Sequence, residues 1–477
     1  MLIDNFRAND AFCNYLELFL DSHKNCVVFL ATDDNVSNSL QIESLDFVKN
    51  GEFGKVYFHN LRRQEIIKYT DENLPDQRNK VAIQEKILKL CKQMELPYNY
   101  WTISLFLLIH HKSSDAYSKN LFAILDYCVD EIFDKKKFLV KDAQITFPQI
   151  KLLTASLAAY LFEEHEATVY SASKDEIVSF LEMKEKSNLR IYARPRDVFD
   201  FLLGCGMLKY QVGDRYSFRL NGFFEYFLAY HMTTDNAFKE RILSDEVKYL
   251  GFRNQLEIYS GFKNDDANTL KRVFDKTVAK CDPLFAAYGD NKDAQLVKNV
   301  AIPQQVEAEL KQISIEKTLT PLQKAQAEDA VEGPSELRSD VHLIDQYDPA
   351  SPRIEVVERY LSILARVYKN IDNVNDRDID TVAVFKKILD YYCDFGFYIV
   401  ENIAADAKEI LHGESTIDLD DTDEMKLLKM LSNMSPILAQ TFMYDGLGHY
   451  SLVRLILMQI EELRKDVSSN QYRLFVL

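Results

Sequence analysis

Residues 216–231 read YSFRLNGFFEYFLAYH, a short strand with alternating apolar residues that runs directly into an aromatic helix. Phe223, Tyr226, Phe227 and Tyr230 stand at i, i+3, i+4 and i+7, one helix face that must be buried. Immediately upstream, Leu208, Tyr210 and Val212 alternate, as do Tyr216, Phe218 and Leu220, the pattern of two half-buried strands. Together they predict a hairpin. If the apolar residues share one face, Val212 lies opposite Tyr216 and Gly213, Asp214 and Arg215 form the loop, because a one-residue slip would turn one strand inside out. Three helices are expected before it: 150–161, 174–183 and 195–203. Ser173 with Glu176 forms a capping box for the second, and Pro195 suits the first turn of the third. Three helices followed by a hairpin make a winged-helix unit over 145–231, with the hairpin as its wing.

The rest of the chain is mostly helical by composition. Of 477 residues only 14 are Gly and 11 Pro, too few special turns for a many-stranded sheet. An apolar fraction of 47% supplies real cores for several domains. The net charge of −17 argues against nucleic acid as a partner, since phosphate binding rests on clustered Lys and Arg. The seven cysteines are scattered and never spaced CxxC, which suggests neither a disulfide framework nor a zinc site and points to a reducing cytoplasm. No apolar run approaches the ~18 to 20 residues of a membrane helix, and the N-terminal residues do not read as a signal peptide.

At the start, LID (residues 2–4), a helical stretch over 9–23 and the run CVVFLAT (26–32) predict a strand, a helix and a second, parallel strand buried on both faces. Two strands alone cannot cover such faces, so further strands are expected from elsewhere. Val56, Tyr57 and Phe58 read as a last sheet strand, and a helical bundle follows. Its seams are Ile83, Ile87, Leu88, Cys91 and Met94, then Ile103, Phe106, Leu107 and His110, with Pro97 breaking the chain between them. After the aromatic helix, helical stretches are expected over 238–259, 267–287 and 291–316, a polar linker over 318–352, and further helices over 353–368, 379–411, 423–441 and 450–468. The acidic run 418–423, DLDDTD, lacks the Gly and terminal Glu of a calcium loop.

The 216–230 segment resembles the end of the winged-helix subdomain in STAND-class P-loop NTPases, the NACHT branch included. Phe218, Phe223, Glu225, Tyr226 and Phe227 match that family's wording, while Leu220 replaces a His that often reaches the bound diphosphate. The resemblance covers about the first 260 residues. It implies that Asp4 ends a Walker B strand and ligates magnesium, since Mg²⁺ takes hard oxygen ligands, and that Thr32 ends the sensor strand. Pro97 would pack on adenine. Departures are clear: Arg7 and Ala8 replace acidic residues, Asp33 replaces a frequent Arg, and Glu95 stands where a Gly is common. Nowhere does GxxxxGK[ST] occur, so the phosphate cradle is not encoded here.

The expected architecture is therefore mostly α: a truncated α/β P-loop NTPase remnant (1–60), a helical lid (61–144), the winged helix (145–231), helical pairs (232–317), a linker (318–352) and a C-terminal helical array (353–477). The resemblance implies a cytoplasmic switch responding to ATP or ADP with Mg²⁺, none held tightly by this chain alone. A missing N-terminal NTPase half, a protein trigger at the C-terminal helices and self-association on activation complete the implied partners. Many bacterial members of that class defend against phage. Two alternatives stand beside it: an acidic helical interaction scaffold without nucleotide, and a winged-helix transcription regulator. Against the second, Asp197 and Asp200 outnumber Arg196 on the helix that would enter the major groove. The sequence offers no HExxH, nucleophile elbow or kinase signature.

Overall fold

The computed structural model describes residues 2–3, 10–30, 61–74, 80–93, 98–112, 121–135, 146–187, 194–211, 213–289, 321–332, 349, 353–371, 374, 379–413 and 438–465. The fold is mostly helical. It opens with β1 (Leu2–Ile3), α1 (Asp10–Ser22) and β2 (Phe29–Leu30), the strands pairing in parallel with Leu2 opposite Phe29 and Ile3 opposite Leu30. The pairing matches expectation, but burial on both faces does not: Val27 is 68% exposed and Phe29 64%. The reason lies in the sheet, where β2 has β1 as its only neighbour among the described residues.

A bundle follows: α2 (Arg63–Asn73), α3 (Lys80–Gln93), α4 (Tyr100–Lys112) and α5 (Leu121–Lys135). Of the seams read from spacing, Ile83, Ile87, Cys91, Ile103, Phe106, Leu107 and His110 are buried and Leu88 is half-buried, while Met94 lies outside the described residues. Gln84 on α3 ties α2 to it, donating to Thr70 Oγ1 at 2.9 Å and Asp71 Oδ1 at 2.8 Å.

Next come α6 (Phe147–Glu164), β3 (Ala172–Ser173), α7 (Lys174–Ser187), α8 (Pro195–Gly204), β4 (Leu208–Gln211) and β5 (Arg215–Phe218). The capping box forms as expected: Ser173 N–H donates to Glu176 Oε2 at 2.7 Å and Glu176 N–H to Ser173 Oγ at 3.3 Å. Pro195 occupies the first turn of α8. The sheet, however, has three strands in the order β3, β5, β4, all antiparallel; the two-residue β3 is too short to leave a periodic signal. The hairpin register also differs from expectation. Tyr210 faces Tyr216 and Gln211 faces Arg215, two residues from the expected pairing, which keeps the apolar residues on one face. Gly213 and Asp214 both take left-handed backbone (φ 82° and 56°), so they belong to the loop. Arg215 is instead drawn into the ladder, because its backbone also pairs with Ser173 of β3 and its guanidinium donates to Thr168 Oγ1 at 2.9 Å.

The aromatic helix α9 (Asn221–Thr234) is the hub. It packs on α6, on α5 and on α12 (Arg253–Phe262). Of the one seam expected, Phe223, Tyr226 and Phe227 are buried and Tyr230 is half-buried; Phe224, Leu228 and Ala229 are buried as well, because helices flank α9 on several sides. The helical stretch expected over 238–259 is made of three helices: α10 (Asn236–Ser244), α11 (Glu246–Gly251) and α12. Asp245 breaks the first from the second by accepting from Val247 and Lys248 N–H, both at 3.1 Å.

Beyond these lies α13 (Ala267–Gly289). The expected polar linker over 318–352 contains a helix, α14 (Pro321–Glu332), which packs on α2. Asp329 Oδ1 accepts from Arg63 N–H at 3.1 Å and Oδ2 from Gln64 N–H at 3.2 Å, satisfying donors at the start of α2 that helix geometry leaves free. That cap comes from a distant part of the chain, so composition could not announce it. Then come α15 (Ile354–Asn370), α16 (Thr381–Gly413), α17 (438–447) and α18 (Val453–Leu463), with α13, α15 and α16 mutually packed. One apolar core runs from Leu61 to Leu452.

Candidate functional site

Asp4, Thr32 and Pro97 lie outside the described residues, as do Val56 to Phe58. What the structure does define is the junction where the α2–α5 bundle meets the strand-bearing unit. Leu220 is the N-cap of α9 and is buried, with no side-chain hydrogen bond closing the helix start. Beside it, Thr102, Phe106, Cys128, Leu220, Gly222 and Phe223 line a cavity of about 10 Å³, room for a single water. Thr102 Oγ1 is buried at this junction without a hydrogen-bond partner.

A charged pin holds the two bodies together. The Tyr226 hydroxyl on α9 donates to Asp126 Oδ1 on α5, and Lys151 on α6 reaches Asp126 at 3.0 Å and Asp130 at 2.6 Å. Burial first, then the Asp126 charge, pushes the Tyr226 phenol far above its ordinary range, so it remains a donor. Burial would lower Lys151, but the two carboxylates outweigh it and raise it, keeping the ammonium charged. On the other side of α9, Glu225 accepts from Asn254 Nδ2 at 3.1 and 3.3 Å, linking α9 to α12.

Further along α12 lies a second charged group. Glu257 bridges Arg366 (2.8 Å) and Lys369 (2.7 Å) of α15, with side chains 3%, 9% and 10% exposed. Burial alone would raise the Glu257 carboxyl, yet the neighbouring Lys369 and Arg366 charges hold it at about 2. Sequence reading missed Asp126, Lys151, Glu257, Arg366 and Lys369. The i, i+4 spacing of Asp126 and Asp130 was visible, but their partner on another helix was not.

Burial pushes the Cys281 and Cys393 thiols up to about 12 and those of Cys91 and Cys128 higher still, whereas Cys26 is exposed. Among the described residues no group of three or more His, Cys, Asp or Glu side chains is placed to hold a metal ion. No helix among them is long and apolar enough to cross a membrane. No family model, curated protein or solved structure matches the chain.

Proposed function

We propose that this chain is the lid, winged-helix and scaffold portion of a STAND-class, NACHT-like signalling NTPase, acting as a nucleotide-dependent switch. The observation that carries this reading is the connectivity α6, β3, α7, α8, β4, β5 with sheet order β3, β5, β4, followed by the aromatic helix α9. A helix, a short first strand, two further helices and a two-stranded hairpin, in that order, support the winged-helix reading. A four-helix bundle docks on this unit through the Tyr226, Asp126 and Lys151 contacts and would be the lid in this reading.

In this reading a nucleotide-binding half, carrying the phosphate loop, pairs with the exposed β1/β2 sheet. ATP or ADP with Mg²⁺ is then held between that half and the lid, with Asp4, Thr32 and Pro97 on this chain's side. Leu220 gives no hydrogen bond to a diphosphate, so the winged helix contributes packing there instead. The C-terminal helices take the trigger, a protein ligand whose binding favours the open form and self-association, as a two-state switch requires. Defence against phage is the setting this reading suggests.

The test is nucleotide binding, followed with a fluorescent ADP analogue, by this chain and by a version carrying the coding sequence upstream of it. Binding by the extended version alone is expected. Binding by neither ends the proposal.

A further inference from the structure

Two helices of the N-terminal bundle begin side by side. Leu61 N–H donates to Tyr98 O, which sets the start of α2 against the start of α4. At α4, Asn99 Oδ1 accepts from Thr102 N–H at 2.8 Å, and Tyr100 stands 57% exposed with its ring edge-on to Tyr69 (5.1 Å between centroids). Tyr69 is itself fixed by a 2.8 Å hydrogen bond between its hydroxyl and Ser104 Oγ. At α2, Arg62 N–H is closed locally by Glu65 Oε2 at 2.8 Å, and Arg62 is exposed. The next two N–H groups, of Arg63 and Gln64, meet the two oxygens of one carboxylate, Asp329, which lies 266 residues along the chain from Arg63. An anion therefore already sits on this helix start, supplied by α14.

α14 is held there lightly. Its sequence, PLQKAQAEDAVE, carries two large apolar side chains, Leu322 and Val331, and among its described side chains Ala325 is the buried one. Its main neighbour among the described elements is α2. A 12-residue helix is marginal in water by itself, so α14 keeps its shape by staying on α2. Residues 290–320 separate it from α13, and 333–348 from Pro349, whose carbonyl accepts from Lys280 at 2.7 Å. Neither stretch is short enough to force α14 onto α2. Bonds from backbone N–H to a carboxylate, unlike an apolar seam, can pass to another anion. We propose that the start of α2 is a phosphate-binding site and that α14 is its built-in plug, Asp329 standing where a ligand's phosphate would sit. The ligand class is a nucleotide: the Arg63 and Gln64 N–H groups and the exposed Arg62 take a phosphate, and the exposed Tyr100 takes a base by stacking. For the base this rests on the nucleotide reading above; the phosphate site and its internal competitor do not.

The test uses the full chain, inorganic pyrophosphate as the probe and hydrogen exchange read peptide by peptide. Saturating pyrophosphate should speed exchange in α14 at least about 5-fold and leave the first turn of α2 and the hub helix α9 unchanged. Sodium chloride at equal ionic strength should do neither. Asp329→Ala should speed exchange in α14 without any probe. In calorimetry it should also tighten pyrophosphate binding at least about 5-fold, because the competent state no longer has to expel its own carboxylate. Unchanged exchange in α14 with pyrophosphate overturns the plug, as does chloride acting equally well. So does Asp329→Ala leaving the affinity for pyrophosphate where it was, or speeding exchange in α9 as much as in α14. If the expected shifts appear while the upstream-extended version binds no ADP, the phosphate site and its plug stand and the nucleotide reading falls.

Discussion

The Tyr226 hydroxyl donates to the Asp126 carboxylate across 100 residues of chain, joining the hub helix α9 to the last helix of the N-terminal bundle. Tyr226→Phe keeps the ring and deletes that bond, while Asp126 retains Lys151. The expected loss is about 1 kcal/mol, read as a lower urea midpoint at unchanged slope.

Gly261 lets α12 approach α5 closely. A Cβ there would sit 2.5 Å from Phe122 Cβ, an atom that cannot swing aside. Helix propensity favours Ala over Gly by about 1 kcal/mol, but relieving such a clash costs roughly 1–3 kcal/mol. Gly261→Ala should therefore destabilise, measured by thermal unfolding; a rise in Tm would mean the two helices do not meet as described.

Ser173 caps α7 from the end of β3. Ser173→Ala removes one half of the reciprocal capping pair with Glu176 and should cost about 1 kcal/mol in a denaturant titration. Ser173→Asp, also a good cap, should recover most of it.

Two carboxylates set opposite pH dependences. Burial, then the Asp390 charge, raises Asp394 from 3.8 to about 7, so this group favours the fold below pH 3.8 and that advantage is lost as pH rises through 7. Asp394→Asn should accordingly raise the melting temperature at pH 8 and leave it unchanged near pH 3.5. Glu257 has the reverse sign: held at about 2, it stabilises fully above its ordinary 4.5, and the effect fades as pH falls towards 2. Glu257→Gln leaves two buried cations unpaired and should cost about 3–5 kcal/mol at pH 7, with the difference from the parent shrinking in acid. A pH-independent difference would remove Glu257 from that role.

Much of the fold was legible because it is local. The capping box at Ser173, the first-turn Pro195 and the seams of α3 and α4 each close within one or two turns of helix, and spacing reports them directly. Hairpin parity was fixed by apolar alternation alone. Its register was not: Arg215 enters the ladder because a strand 42 residues upstream, β3, pairs with it there (Ser173 with Arg215). In the same way α14 formed within a polar stretch, where it docks on α2 and caps that helix with Asp329.

By itself, then, the sequence determined helix content, caps and which face of each strand is apolar, since these depend on neighbours a few residues away. Tertiary structure alone decided the candidate sites. Asp126 meets Tyr226 across 100 residues and Glu257 meets Arg366 across 109. A charge's partner on another helix is chosen by how the helices pack, and no spacing along the chain records that choice.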